Sequence, residues 1–147
     1  MTPHFIKRPD GFEISDVTAR LDLPFVHGFL SEHTYWASGR TMETVVRSVA
    51  NSVCLGVYDP PGAQVGFGRM VTDRTTTAHL TDVFILPRHR GLGLGKALVG
   101  AMLGHPDLVT VRRWTLSTMD AHAIYAAYGF TAMEEPEQQM MRMLPKP

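Results

Sequence analysis

A glycine-rich turn between an apolar run typical of a strand and an apolar run typical of a helix places the strongest constraint on the fold of this chain. Val83-Phe84-Ile85-Leu86 precedes the turn, which reads Arg88-His89-Arg90-Gly91-Leu92-Gly93-Leu94-Gly95-Lys96, and an apolar helical segment follows. Glycines permit positive φ and let the backbone approach a ligand closely. Because the first N–H groups of a helix lack intrahelical partners, a strand, glycine turn and helix in this order favour a bound phosphate.

The charge around this turn also favours an anionic ligand. No Asp or Glu lies between Asp82 and Asp107, whereas Arg88, Arg90 and Lys96 do. The whole chain is formally neutral, with 14 basic and 14 acidic residues, so the positive field is local. A neutral chain argues against a broad nucleic-acid-binding surface, and we expect no nucleic-acid partner.

The glycine spacing argues against two other phosphate loops. A Walker A loop needs Gly-x-x-x-x-Gly-Lys-Ser/Thr, and two of its defining positions hold Arg90 and Ala97. A dinucleotide fingerprint needs Gly-x-Gly-x-x-Gly, and its third glycine falls on Lys96 or Leu98, depending on the register. A small nucleotide triphosphatase is therefore disfavoured.

Two motifs resemble those of the GNAT superfamily of N-acetyltransferases. Arg-x-x-Gly-x-Gly, at Arg90, Gly93 and Gly95, resembles the loop with which that family binds the pyrophosphate of acetyl-CoA. Downstream, the run from Tyr125 to Phe130 resembles the family's Tyr-x-x-x-Gly-Phe ending. The lead-in Asp-Ala-His at 120–122, with the aromatic pair upstream, is similar to a subgroup of small bacterial acetyltransferases. The resemblance covers nearly the whole chain.

The resemblance implies a function and a set of residues. It implies direct transfer of an acetyl group from acetyl-CoA to a primary amine of a small molecule or a protein, with no metal. Tyr125 would protonate the departing thiolate, with Tyr128 as the alternative acid. Many members carry an asparagine that touches the cofactor at the position of Thr118, and this chain departs from the family pattern there. The residues implied to bind the cofactor are Val83, Phe84, Ile85, Arg88, Arg90, Gly91, Leu92, Gly93, Leu94, Gly95 and Lys96.

The resemblance leaves other properties open. The alternative function is a catalytically silent acyl-CoA-binding sensor or partner module of the same fold. The identity of the amine, the preference for acetyl over a longer acyl group, and assembly as a homodimer all stay open.

The general base is predicted from strand alternation. Period-two alternation places Asp82 between Leu80 and Phe84 on one face of a strand, and His79 on the opposite face. A carboxylate between apolar neighbours is partly desolvated, which raises its pKa towards a useful value. We therefore predict Asp82 as the base. A buried structural role for Asp82, His79 as the base, and deprotonation through water remain alternatives.

Acceptor recognition is predicted in the loop 33–40. Tyr35 and Trp36 are adjacent aromatics in a polar setting and would form an apolar or cation–π wall for an amine. His33 is the third predicted substrate residue. The alternative is that the aromatic pair forms a hydrophobic lid on the first helices.

Length and element order predict an α/β (α+β) chain with a single domain spanning residues 1–147. The predicted order is two helices, three strands, a helix, a strand, a helix and two closing strands. It matches the order of the GNAT family, so the resemblance implies the GNAT acyltransferase fold. That fold is a mixed, mostly antiparallel sheet of about six to seven strands with about four helices. The predicted closing strands are Phe130–Met133 and Gln139–Leu144. A single cysteine, Cys54, rules out an internal disulfide, and its apolar neighbours predict a buried thiol. We expect no secretion signal or membrane span, and a cytoplasmic location.

Overall fold

The computed structural model describes residues 3–146 and contains one six-stranded sheet. Its strands lie side by side in chain order, and every neighbouring pair is antiparallel except the last two strands, which are parallel. This arrangement confirms the predicted mixed, mostly antiparallel sheet. The strands are β1 (Phe5–Lys7), β2 (Glu13–Ser15), β3 (Val53–Tyr58), β4 (Gln64–Thr72), β5 (Thr77–Ile85) and β6 (Arg113–Thr115).

Four α-helices pack on this sheet, as predicted. They are α1 (Leu23–His33), α2 (Met42–Ala50), α3 (Leu94–Leu103) and α4 (His122–Ala126). The first two begin where the sequence places an N-cap: the Asp22 carboxylate accepts the Phe25 N–H at 3.1 Å, and the Thr41 hydroxyl accepts the Thr44 N–H at 3.2 Å. None of the helices within residues 3–146 is long and apolar enough to cross a membrane.

The two faces of the sheet carry separate hydrophobic cores. On one face α3 buries Leu98 and Met102 against Leu55, Met70 and Leu80. On the other face the first two helices bury a second cluster, which contains Val26, Leu30, Val45, Val49, Cys54, Phe67 and Phe84. Strand β5 contributes to both cores, because Leu80 and Ile85 face α3 whereas Phe84 faces the first two helices. The burial of Cys54 confirms the predicted buried thiol.

A bulge in β5 overturns the predicted alternation of that strand. Phe67 pairs with Phe84 but Arg69 pairs with Thr81, so two residues of β5, Asp82 and Val83, lie opposite the single Gly68. Asp82 accordingly has a left-handed φ of 56°. The extra residue reverses the order of the faces beyond it. The prediction that Leu80, Asp82 and Phe84 share a face was therefore wrong.

The C-terminal part differs most from prediction. Neither Phe130–Met133 nor Gln139–Leu144 forms a strand. Residue pattern alone cannot supply a strand with a hydrogen-bonding partner, and β6 spans only three residues. The sequence analysis also missed β1. No side chain caps the start of α4, so Asp120 does not cap it, and Thr118 Oγ1 accepts the N–H of the N-cap residue Ala121 at 3.0 Å.

Candidate active site

A cleft opens where the two parallel strands separate. β5 and β6 pair only at Thr77–Arg113, Ala78–Trp114 and His79–Thr115. From there to Ile85, β5 pairs with β4 on one edge and has no strand on the edge towards β6. The backbone groups on this edge of β5 therefore face a cavity of about 210 Å³ instead of a neighbouring strand. The cavity is lined by Tyr35, Trp36, His79, Leu80, Thr81, Asp82, Val83, Ser117, Thr118, Asp120, Ala121 and Tyr125.

Asp82 is the centre of a hydrogen-bond network in this cleft. It is 3% exposed, its Oδ1 accepts the Trp36 indole N–H at 3.0 Å, and its Oδ2 accepts Arg40 Nη1 at 2.7 Å and Arg69 Nε at 2.8 Å. A buried carboxylate needs such partners, because removal from water without them is costly. The network joins the connection between α1 and α2 to the bulge of β5. Arg69 was not predicted as part of the site, and Arg40 was predicted only as the end of the acceptor loop 33–40.

The aromatic pair stands at the mouth of the cleft. The rings of Tyr35 and Trp36 are 5.1 Å apart in an edge-to-face arrangement, and the two residues are 61% and 42% exposed. The contact with Asp82 fixes Trp36, whereas Tyr35 stays largely in solvent. His33 does not line the cavity; its exposed ring lies 5.5 Å from that of Phe29.

Tyr125 closes the far side of the cleft. Its side chain is half-buried beside the core under α3, and its ring meets that of Phe130 edge to face at 5.8 Å. Desolvation, and next the negative charge of Asp120, raise the pKa of Tyr125 above its ordinary value of 10.0. The phenol therefore keeps its proton at neutral pH. Tyr128 lies elsewhere: its hydroxyl donates to the Lys96 carbonyl at 2.8 Å.

The glycine turn follows β5 directly, through a short 3₁₀ turn at Pro87–His89. Gly91 and Gly93 have φ of 85° and 75°, a backbone conformation that residues other than glycine rarely adopt. Gly93 is the N-cap of α3. The Ala97 N–H donates to the Gly93 carbonyl at 3.0 Å. The N–H groups of residues 94–96 precede this bond and have no acceptor within the helix.

The cations of the turn are free to meet an anion. Arg88, Arg90 and Lys96 are exposed, and none of the ion pairs found among residues 3–146 involves them. The sequence analysis missed a fourth cation, Arg8, which follows β1. Its Nη2 donates to the Leu92 carbonyl at 2.7 Å and pairs with Asp10 at 2.9 Å. Only the fold could reveal this contact, because 84 residues separate the two partners.

These features together fit a ligand that has a phosphate at one end and an extended amide chain. The free N–H groups and cations at the start of α3 suit the phosphate. The unpaired edge of β5 suits amide groups, as when a sheet edge binds an extended peptide. Tyr125 lies where a proton donor would meet the other end of such a ligand.

Comparison with known proteins supports the same interpretation. The model of the acetyltransferase (GNAT) domain family matches residues 50–132. A candidate acetyltransferase of Gibberella zeae is 30% identical over 129 residues, which cover 73% of this chain and 71% of that protein.

Solved structures of other proteins share this fold. The crystal structure of a candidate GNAT-family acetyltransferase of Xanthomonas campestris pv. campestris has a TM-score of 0.87 and 42% identity, and covers 91% of this chain and 94% of that one. A Mycobacterium tuberculosis protein, solved in complex with CoA and NLQ, has a TM-score of 0.68 and 20% identity, with 82% and 72% covered. The matched family model, the relative and the shared fold lead to one conclusion: this chain belongs to the GNAT family of acetyltransferases.

Proposed function

We propose that this protein transfers an acetyl group from acetyl-CoA directly to a primary amine of a small molecule or a protein. The observation that carries this proposal is the cleft between the separating ends of β5 and β6, which brings Tyr125 to the unpaired strand edge that leads into the glycine turn. A structural neighbour of the same fold was solved with CoA, which supports an acyl-CoA as the donor.

The glycine turn would bind the diphosphate of the donor. The N–H groups at residues 94–96 and the nearby cations offer hydrogen bonds and positive charge. The edge of β5 around Val83, Phe84 and Ile85 would then bind the pantetheine amides. This binding mode sets the thioester beside the bulge at Asp82 and Val83.

Acyl transfer makes three chemical demands at this point. The amine must be neutral to attack, and a free primary amine has a pKa near ~10. Attack places negative charge on the carbonyl oxygen, which backbone N–H groups near the bulge would stabilise. The thiolate leaves more easily when it receives a proton. Tyr125 can supply one, because a phenol is protonated at neutral pH and the pKa of Tyr125 is raised further above that range.

Tyr35 and Trp36 would contact the acceptor. They lie between α1 and α2 and line the same cleft as Tyr125 and Asp120. An aromatic face attracts a cation, so this wall suits an amine that arrives protonated. Asp120, which also lines the cleft, adds a negative charge that would attract the positive charge of the amine.

Release of free thiol from acetyl-CoA in the presence of a panel of amines tests the proposal. We expect release with at least one amine, and a fall of about 10²-fold in kcat for Tyr125→Phe, the size typical of a lost general acid. The dissociation constant for acetyl-CoA should stay within about twofold, because Tyr125 protonates the leaving group and does not hold the diphosphate. Tyr128→Phe is the matched control and should keep its kcat.

Two outcomes would contradict the proposal. Tight acetyl-CoA binding without thiol release for any amine would favour a silent acyl-CoA-binding module. Stabilisation by ATP but not by acetyl-CoA would favour a nucleotide-phosphate site.

A further inference from the structure

The bulge in β5 brings two titratable side chains to the same face of the sheet. Leu80 packs towards α3, so His79 points to the opposite face, and the extra residue turns Asp82 to that face as well. Both residues line the cleft that holds Tyr125. The structure therefore offers two bases where regular alternation would offer one.

Asp82 is poorly placed to accept a further proton. Its Oδ2 already takes hydrogen bonds from two arginines and its Oδ1 takes one from Trp36. Both carboxylate oxygens therefore already accept hydrogen bonds from side chains of this chain, and the Asp82 side chain is 1% exposed. A general base must reach the proton it takes from the substrate, which this geometry does not favour.

His79 has the opposite environment. Its Nδ1 lies 2.8 Å from Thr115 Oγ1, across the last pair of residues that joins β5 to β6. When Nδ1–H donates to that hydroxyl, the lone pair of Nε2 is left for the cleft. No other hydrogen bond of the His79 ring is present within the described part of the chain.

We propose that His79 is the general base of this enzyme and that Thr115 is its positioning residue, while Asp82 holds Trp36 and the two arginines in place. This inference deepens the proposed acetyl transfer and rests on it.

The proton and electron balance is simple. An acceptor that arrives as an ammonium loses two protons in all. Nε2 of His79 takes the first and passes it to solvent, which frees the nitrogen lone pair that forms the C–N bond to the acetyl carbonyl. Nε2 then takes the second proton from the positively charged nitrogen of the tetrahedral adduct. The C–S bond breaks and the thiolate takes the proton of Tyr125. His79 then loses its proton to solvent, and the Tyr125 phenolate regains one. An imidazolium formed in this step keeps its Nδ1–H bond to Thr115.

The immediate surroundings of His79 favour its neutral form. Partial desolvation, and next the guanidinium of Arg69, lower the pKa of His79 below its ordinary value of 6.5. A neutral imidazole can accept a proton at pH 7. The titratable and charged groups that share its surroundings are Arg69 on β4, Asp82 on β5, Tyr35 between α1 and α2, and Asp120 and Tyr125 beside the far wall.

The pH profile of kcat/KM for the acceptor tests this assignment. We would compare the wild-type enzyme with His79→Gln and Asp82→Asn, using two accepted amines whose own pKa values differ. An acidic limb caused by protonation of the amine shifts with the pKa of the amine, whereas a limb caused by a group of the enzyme stays at the same pH for both amines. We expect an enzyme limb below pH 6.5, its loss in His79→Gln, and a rate about 10²-fold or more lower in that variant.

Two further results are expected if His79 is the general base, and a purely structural role of His79 would not produce them. His79→Gln should bind acetyl-CoA as the wild type does, and imidazole in the buffer should partly restore the rate of His79→Ala. If either variant fails to fold, as judged by circular dichroism, His79→Asn replaces it in the same assay. Asp82→Asn should keep the limb even where its KM for the amine rises.

Each contrary result has a distinct meaning. Thiol release by His79→Gln with the wild-type rate and limb would overturn this inference and leave acetyl transfer intact. A limb that disappears in Asp82→Asn and persists in His79→Gln would make Asp82 the base. A wild-type enzyme that binds acetyl-CoA but fails to release thiol with every amine tested would contradict the proposed function, and this inference with it.

Discussion

Three glycines of the sheet permit contacts that a methyl group would block, and Gly66 on β4 is the clearest case. A Cβ at this position would lie 2.6 Å from Ile85 Cδ1 and 3.0 Å from the Phe84 carbonyl oxygen. The second contact is with backbone, which cannot move as a side chain can. Gly66 thus sets the close approach of β4 to the end of β5 that leads into the glycine turn.

We expect Gly66→Ala to lower the free energy of unfolding by about 1–3 kcal/mol, the usual cost of overpacking a core. Gly28→Ala is the matched control. A Cβ there meets nothing within 4 Å, and a helix interior prefers alanine, so we expect a gain of up to about 1 kcal/mol. Urea unfolding measures both. Equal stability of the two variants would contradict the close packing of β4 against β5.

Asp73 organises the turn between β4 and β5. Its Oδ1 accepts the N–H groups of Thr75, Thr76 and Thr77 at 2.9, 2.7 and 3.2 Å, and its Oδ2 accepts the Thr76 hydroxyl at 2.6 Å. The hydroxyl of Thr76, followed by the backbone N–H groups, holds the pKa of Asp73 well below its ordinary value of 3.8.

The stabilisation by Asp73 should therefore depend on pH. A carboxylate with a depressed folded pKa stabilises the fold above its unfolded pKa, and this stabilisation is lost as the pH falls towards the folded value. We expect Asp73→Ala to have a lower Tm than the wild type at pH 7, and the difference to shrink below pH 3.8. A difference that stays constant from pH 7 to pH 3 in thermal unfolding would contradict the role of the charge.

The elements differ in how far local sequence determines them. The first two helices, the central strands and the glycine turn carry their own caps, alternation and turn residues, and they were predicted well. Residue alternation alone does not show that a bulge turns Asp82 away from the face of Leu80, because the position of the bulge depends on the register of β4 against β5. The Asp82 network and the contact of Arg8 with Leu92 could not be predicted from sequence either, because their partners are distant in the chain.

The prediction of the two closing strands was wrong for a different reason. Their apolar residues suit a strand, but a strand also requires a neighbour with free hydrogen-bonding groups. Met140, Met141, Met143 and Leu144 are instead 65–97% exposed. The segment from Met140 onward contributes little to the described cores.

Removal of this segment tests its role. We expect a chain that ends at Gln139 to unfold with a free energy within about 0.5 kcal/mol of the full chain, as is usual when exposed side chains are lost. Urea unfolding of the two chains gives the comparison. A loss of several kcal/mol would show that the segment packs against the domain in solution and would restore the predicted strand.

The whole molecule places the two halves of the proposed reaction on opposite faces of one sheet. The glycine turn and α3 lie on one face, whereas Trp36 and Arg40 approach from the helices of the other. β5 separates the two cores and contributes to both, and its bulge lies where they meet the cleft. Donor and acceptor would thus reach the same point from different sides, which direct transfer requires.

The crystal structure of this protein with CoA bound would test the central claim most directly. The account predicts the diphosphate on the N–H groups at the start of α3, between Gly93 and Lys96, the pantetheine along β5, and the sulfur within hydrogen-bonding distance of the Tyr125 hydroxyl. A diphosphate bound elsewhere, or a Tyr125 hydroxyl that points away from the sulfur, would contradict it.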